Sequence, residues 1–144
     1  MRDWLKIAKL RGAVKVDSKP SNALAEFNSD KAVLEKYLLR YEAAALAHTE
    51  ASINPDHRRA NRNHDIIMSI VSYLKDKGEL LQLKRFLSHP SDGVKIWASS
   101  HLLATELSYE ASSTLQQVAR GGDTIAFAAE MTLKEWNRGN LKSY

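Results

Sequence analysis

The 144-residue chain contains no cysteine, so neither a disulfide frame nor a thiolate metal site can form. A reducing compartment suits such a composition. No apolar run approaches the roughly 18 residues that span a bilayer, and the first residues lack the continuous apolar core of a secretory signal. A cytoplasmic location is therefore expected. No window sustains apolar–polar alternation, so no sheet is expected. Catalytic signatures are missing as well: there is no G-x-S-x-G elbow, no H-E-x-x-H pair and no Gly-rich phosphate loop, since Gly121-Gly122 simply ends a helical segment. Ser100 and His101 are adjacent, about 100° apart around a helix, and do not face each other. An enzyme is not expected, and no cofactor or metal is implied.

The body of the chain also lacks net charge. The formal total is +4. Residues 1–20 carry six basic side chains and two acidic ones, which accounts for all of it. Residues 21–144 carry 15 of each sign, so no global field steers the body onto a polyanion.

What remains is a helical pattern. Hydrophobic residues make up 44% of the chain, enough at this length for one domain to bury about two-thirds of its unfolded surface. Residues 3–16 place Trp4, Ile7, Leu10 and Val14 at helical spacing between lysines. They read as a short basic amphipathic helix, either a docking arm or an accessory packed on the body. The segment 17–22 reads as a linker. Ser29 or Asp30 can cap a helix running to Ile53, with Leu34, Tyr37, Leu38, Tyr41, Ala45 and His48 inward. Asn54 and Pro55 then restart the helix. This second helix turns Ala60, Ile67, Ile70, Val71 and Leu74 inward and stops at Gly78. Four shorter helices follow, near 79–89, 93–106, 109–120 and 124–138. A shift of 32 lays Leu83, Phe86 and Leu87 on Leu115, Val118 and Ala119. A shift of 30 lays Trp97, Ala98 and Leu103 on Phe127, Ala128 and Leu133. Repetition at this period predicts stacked helical hairpins. The expected fold is all-α: three antiparallel hairpins in a HEAT/armadillo-like α-solenoid over residues 29–144, preceded by a basic helix and linker over 1–28.

The stretch FLSHPSDGVKIWASSHLL has an apolar helix end, a His-Pro turn, a small polar cap and then Val-x-x-x-Ala. Together with AAEMTLKEWNRGNL at the end and RRANRNHD on the second helix, it resembles small bacterial HEAT-like domains of unknown function. The likeness covers about residues 30–142. It implies no catalytic residues. It implies a binding scaffold, and some bacterial immunity proteins that block a toxin are similar.

The densest chemistry is HRRANRNHD, residues 57–65. His57 and His64 stand about 10 Å apart along a helix axis, too far for one metal ion, so His48 and His64 are expected to be semi-buried and hydrogen-bonded. Arg58 and Arg59 lie at a helix N-terminus, where cations are unfavourable. Two readings stay open. The arginines can form a local network, Arg62 with Asp65 and others with Glu42 or Glu50 of the preceding helix. Otherwise His57, Arg58, Arg59 and Arg62 form a basic knob for an acidic partner, with Arg58 and Arg59 solvent-exposed. Trp97, Phe127 and Trp136 read as packing residues, with Trp136 and Arg138 an alternative interface anchor. The expected function is non-catalytic protein binding, of immunity or inhibitor type, with a toxin domain as partner. Nucleic-acid binding by a HEAT-like repeat is the alternative, and homo-oligomer formation a third reading.

Overall fold

The computed structural model describes residues 20–54 and 56–141. Within them the chain is helical and contains no strand. The order is α1 (Pro20–Ile53), α2 (His57–Asp76), a 3-10 segment (Leu80–Ser88), α3 (Asp92–Leu102), α4 (Ser108–Ala119) and α5 (Thr124–Asn137). The expected N-terminal amphipathic helix and the role of Pro55 lie outside the described residues. Among the described residues no helix is long and apolar enough to cross a membrane. The residues divide into two units, one ending at Tyr37 and one beginning at Leu38. The core described below belongs to the second.

α1 begins nine residues before Ser29, inside the stretch expected to be a linker. Pro20 suits a first helical position, and the good helix formers Ala23, Leu24, Ala25 and Glu26 carry the helix on. Ser29 and Asp30 therefore sit within it, exposed, rather than capping it. Leu38, Tyr41 and Ala45 are buried as their spacing requires, while His48 is half-buried. α2 is capped by Asp56, whose carboxylate accepts from the Arg59 N–H at 3.1 Å, not by Asn54. On α2, Ile67, Ile70, Val71 and Leu74 are buried, and Ala60 is half-buried. Gly78, at φ 69°, ends the helix. Its N–H donates to Lys75 and the Glu79 N–H reaches back to Leu74 at 2.8 Å, the paired closure that a left-handed residue permits.

The third helix winds as a 3-10 helix, not as an α-helix. Its residues explain the choice. Leu83 and Phe86 are buried, Leu80 and His89 are half-buried, and all four are spaced by three. At three residues per turn such a row eclipses along one edge. The solvent edge follows the same period: Gln82 Nε2 donates to Glu79 and Arg85 donates to Gln82 Oε1, both at 3.3 Å. α3 ends four residues sooner than its pattern suggests. The Thr105 hydroxyl donates to the Leu102 carbonyl at 2.6 Å and accepts from the Leu107 N–H at 3.0 Å, diverting the chain into a turn.

The caps of α3 and α5 lie at one of the two offsets read from the sequence. Ser91 caps α3 by accepting from the Val94 N–H, and Asp123 caps α5 by accepting from the Ala126 N–H. These positions are 32 apart, as are the buried pairs Leu83/Leu115 and Phe86/Val118. The shift of 30 that matched Trp97 with Phe127 differs from the 32-residue spacing of these caps. Trp97 corresponds to Ala129 and is half-buried, whereas Phe127 is 60% exposed and is not core. α3 is the central element of this unit, packed against the 3-10 segment, α4 and α5.

Candidate functional site

Two helical faces meet over Trp97. On α1, Tyr41, His48 and Ser52 share one face by spacings of seven and four, with Thr49 at its edge. On α3, Gly93, Trp97 and Ser100 do the same by spacings of four and three, with His101 at the edge. Backbone proximity is set by Gly93, where an added Cβ would overlap the Thr49 side chain. The close approach brings rings together. His48 meets Trp97 edge-on at 5.0 Å between centroids, and His64 of α2 reaches the same indole at 5.9 Å. Trp97 stacks on His101, one turn along, at 5.7 Å. His101 Nδ1 shares a hydrogen bond of 2.9 Å with the Tyr41 hydroxyl, and Tyr41 stacks on Phe86 at 5.6 Å. Beyond Phe86 the row reaches His89, whose Nε2 lies 2.8 Å from Glu42 Oε2 and whose Nδ1 accepts from the Ser91 N–H at 2.9 Å.

Burial decides the charge of this row. His101 is pushed down to about 3, first by desolvation and then by Lys75 and His64, against a hydrogen bond with the Trp97 backbone that favours the charged form. It is neutral at physiological pH. His48 is lowered too, by burial and then by the neighbouring His64. Among the described residues no three His, Asp or Glu side chains converge as a metal cluster. Ser100 and His101 point to different partners: the serine hydroxyl donates to the Trp97 carbonyl at 2.8 Å, and the imidazole meets Tyr41.

A cavity of about 280 Å³ opens beside Trp97, between α1, α3 and α5. Its walls come from His48, Thr49 and Ser52 on α1, from Ile96, Trp97 and Ser100 on α3, and from Ile125, Ala128 and Thr132 on α5, with Leu141 at the edge. Among the described residues no charged side chain lines it.

The residues singled out in the sequence separate into two groups. At the start of α2, His57, Arg58 and Arg62 are exposed. Arg59 is not free: it is half-buried and pairs with Glu50 of α1 at 2.7 Å. The local-network reading thus holds for Arg59, because the short connection lays the first turn of α2 beside the last turn of α1. Glu42 takes His89 rather than an arginine, and Asp65 lies 3.6 Å from His64 Nδ1. His64 itself is exposed, not semi-buried, although its ring contacts Trp97. At the end of α5, Trp136 is half-buried and Arg138 bridges to Glu135 at 3.3 Å. The structure does not place Trp136 and Arg138 in contact with the arginines of α2.

Sequence reasoning missed the row from His64 to His89, which needs the fold to bring residues 41, 48, 64, 89 and 97 together. It also missed an exposed apolar line on α1, Leu39, Leu46 and Ile53, at 62%, 42% and 57% exposure. Their regular spacing of seven was a readable signal. Compared with known protein families, characterised proteins and solved structures, the chain matches none.

Proposed function

We propose that the chain is a non-catalytic protein-binding scaffold, a cytoplasmic immunity or inhibitor protein that binds and blocks a cognate toxin domain. Its helices are proposed to pair as three stacked HEAT-like hairpins: α1 with α2, the 3-10 segment with α3, and α4 with α5. The common 32-residue register and the central place of α3 support that arrangement. The observation carrying the functional reading is the line Leu39–Leu46–Ile53. Residues seven apart share a helix face, and these three exposed apolar side chains, with Glu42, Ala43 and Glu50 between them, are the contacts offered to the partner. The line ends beside the exposed His57 and Arg58 at the start of α2, so apolar and basic contacts adjoin. An acidic, apolar-centred protein surface complements such a face. Duplex nucleic acid does not call for the leucines, and residues 21–144 carry no net charge.

Capture of native partners from the source cells tests the reading with three proteins: wild type, Leu46→Asp, and Arg58→Ala with Arg62→Ala. Leu46→Asp should lose the partner. The arginine pair should slow association and flatten its salt dependence. All three should keep similar melting temperatures, because the changed side chains are exposed. Equal capture by all three overturns the proposal. Tight, steeply salt-dependent binding to duplex DNA or RNA would instead establish the nucleic-acid alternative.

A further inference from the structure

The cavity beside Trp97 takes no part in that reading, and its lining is chemically specific. Four hydroxyls border it, and each has already donated its only proton to its own helix. Thr49 donates to Ala45 at 2.8 Å, Ser52 to His48 at 2.9 Å, Ser100 to Trp97 at 2.8 Å and Thr132 to Ala128 at 2.9 Å. A hydroxyl so engaged offers only its acceptor lone pairs to a visitor. The remaining wall is the His48 imidazole, which keeps one N–H and one acceptor nitrogen when neutral, and the apolar Gly93, Ile96, Ile125, Ala128, Leu141 and Trp97 indole. An ion entering would leave water without meeting a counter-charge, which is costly. A flat ring finds an indole to stack against. Size narrows the class further. A cavity of about 150 Å³ accepts benzene, so about 280 Å³ suits one or two fused rings.

We propose that this cavity is a binding site for a small, uncharged, flat aromatic molecule that carries one N–H or O–H donor, of the indole or phenol class. The acceptor oxygens of Thr49, Ser52, Ser100 and Thr132 receive the donor, and Trp97 with Ile96 and Ile125 encloses the ring. His48, held neutral by its burial, adds no charge that would draw an acid instead. The site stands independently of any protein partner on the outer face of α1.

The test titrates full-length protein with indole while amide and indole N–H signals are followed by NMR. Saturable shifts are expected at Trp97, Ile125 and Thr132. 1-Methylindole keeps the ring but replaces the donor hydrogen with a methyl group, and should bind about fivefold to tenfold more weakly, the value of one hydrogen bond. Indole-3-acetate and tryptamine, charged analogues, should bind more weakly still. Ala128 is exposed at the cavity wall, so Ala128→Phe should plug the site and abolish binding at an unchanged melting temperature. Thr132→Val provides a second variant and should shrink the preference for indole over 1-methylindole. The proposal is overturned if indole gives no saturable shift, if 1-methylindole binds equally well, or if folded Ala128→Phe binds as wild type does. N-acetyltryptophanamide presents the same ring between peptide groups and should bind no better than indole. Tighter binding of that amide would assign the cavity to a protein side chain and remove the small-molecule assignment.

Discussion

The 3-10 segment with α3, and α4 with α5, share one 32-residue register yet differ at nearly every position that the register equates. Gly93 corresponds to Ile125, Trp97 to Ala129, Ser99 to Met131 and His101 to Leu133. Both pairs keep a side-chain hydrogen bond at the N-cap of the second helix and a buried leucine in the first. The first pair, however, lies against α1 as well as against its successor. A glycine there lets α1 approach, and an indole and a neutral imidazole fill the gap. The second pair has no described element beyond it, and Phe127 on α5 is exposed. A repeat sets where helices begin, whereas the neighbours decide which side chains they must bury.

This contrast can be broken most severely by acid. His101 has a folded value near 3 against about 6.5 in an unfolded chain. The fold thus favours the neutral form. The stabilisation is complete above pH 6.5 and is lost as pH falls from 6.5 toward 3, at about 1.4 kcal/mol per pH unit. Urea unfolding at pH 6.5 and pH 5 should show about 2 kcal/mol of loss from this group. His101→Gln should remove that component, leaving a smaller loss of the same sign from His48. Identical pH slopes in the two proteins would contradict the buried neutral imidazole.

An effect of similar size is expected at Gly93. Gly93→Ala should destabilise by about 2 kcal/mol, because overlap with Thr49 outweighs the roughly 1 kcal/mol by which alanine favours a helix. A double-mutant cycle with Thr49→Ala should show positive coupling. Stabilisation by Gly93→Ala would mean that α1 does not lie so close.

Ser99 sharpens the comparison from the other side. Its buried hydroxyl has no hydrogen-bond partner among the described residues, where the second pair carries Met131. Ser99→Ala should raise stability by about 1 kcal/mol, read as a higher melting temperature. A fall of similar size would reveal a partner for that hydroxyl.

Much of the architecture was legible. The 3.6-residue periodicity located every helix of the second unit, and Gly78 marked its stop because only a left-handed residue closes α2 in that way. The 3-10 winding was harder to read, since a row at spacing three resembles half of an α-helical stripe. The early end of α3 hinged on one threonine hydroxyl. The candidate site was barely legible. His48, His64, His89 and His101 lie far apart in sequence, and Trp97 joins three of them only after α1 and α2 fold over α3. Arg58 and Arg59 are adjacent and chemically alike, yet Arg59 alone meets Glu50, a distinction of rotation around one helix turn.

The winding of residues 80–88 also fixes the length of that segment. A 3-10 turn rises about 2.0 Å per residue and an α-turn about 1.5 Å. Nine residues rewound as an α-helix would shorten by about 4–5 Å. Each step of three residues would also fall about 60° short of a full turn. Phe86 and His89 would then swing off the line of Leu83, and the grip of His89 on Glu42 would open. The imidazole–carboxylate contact between His89 and Glu42 thus belongs to the 3-10 winding and would be lost with it.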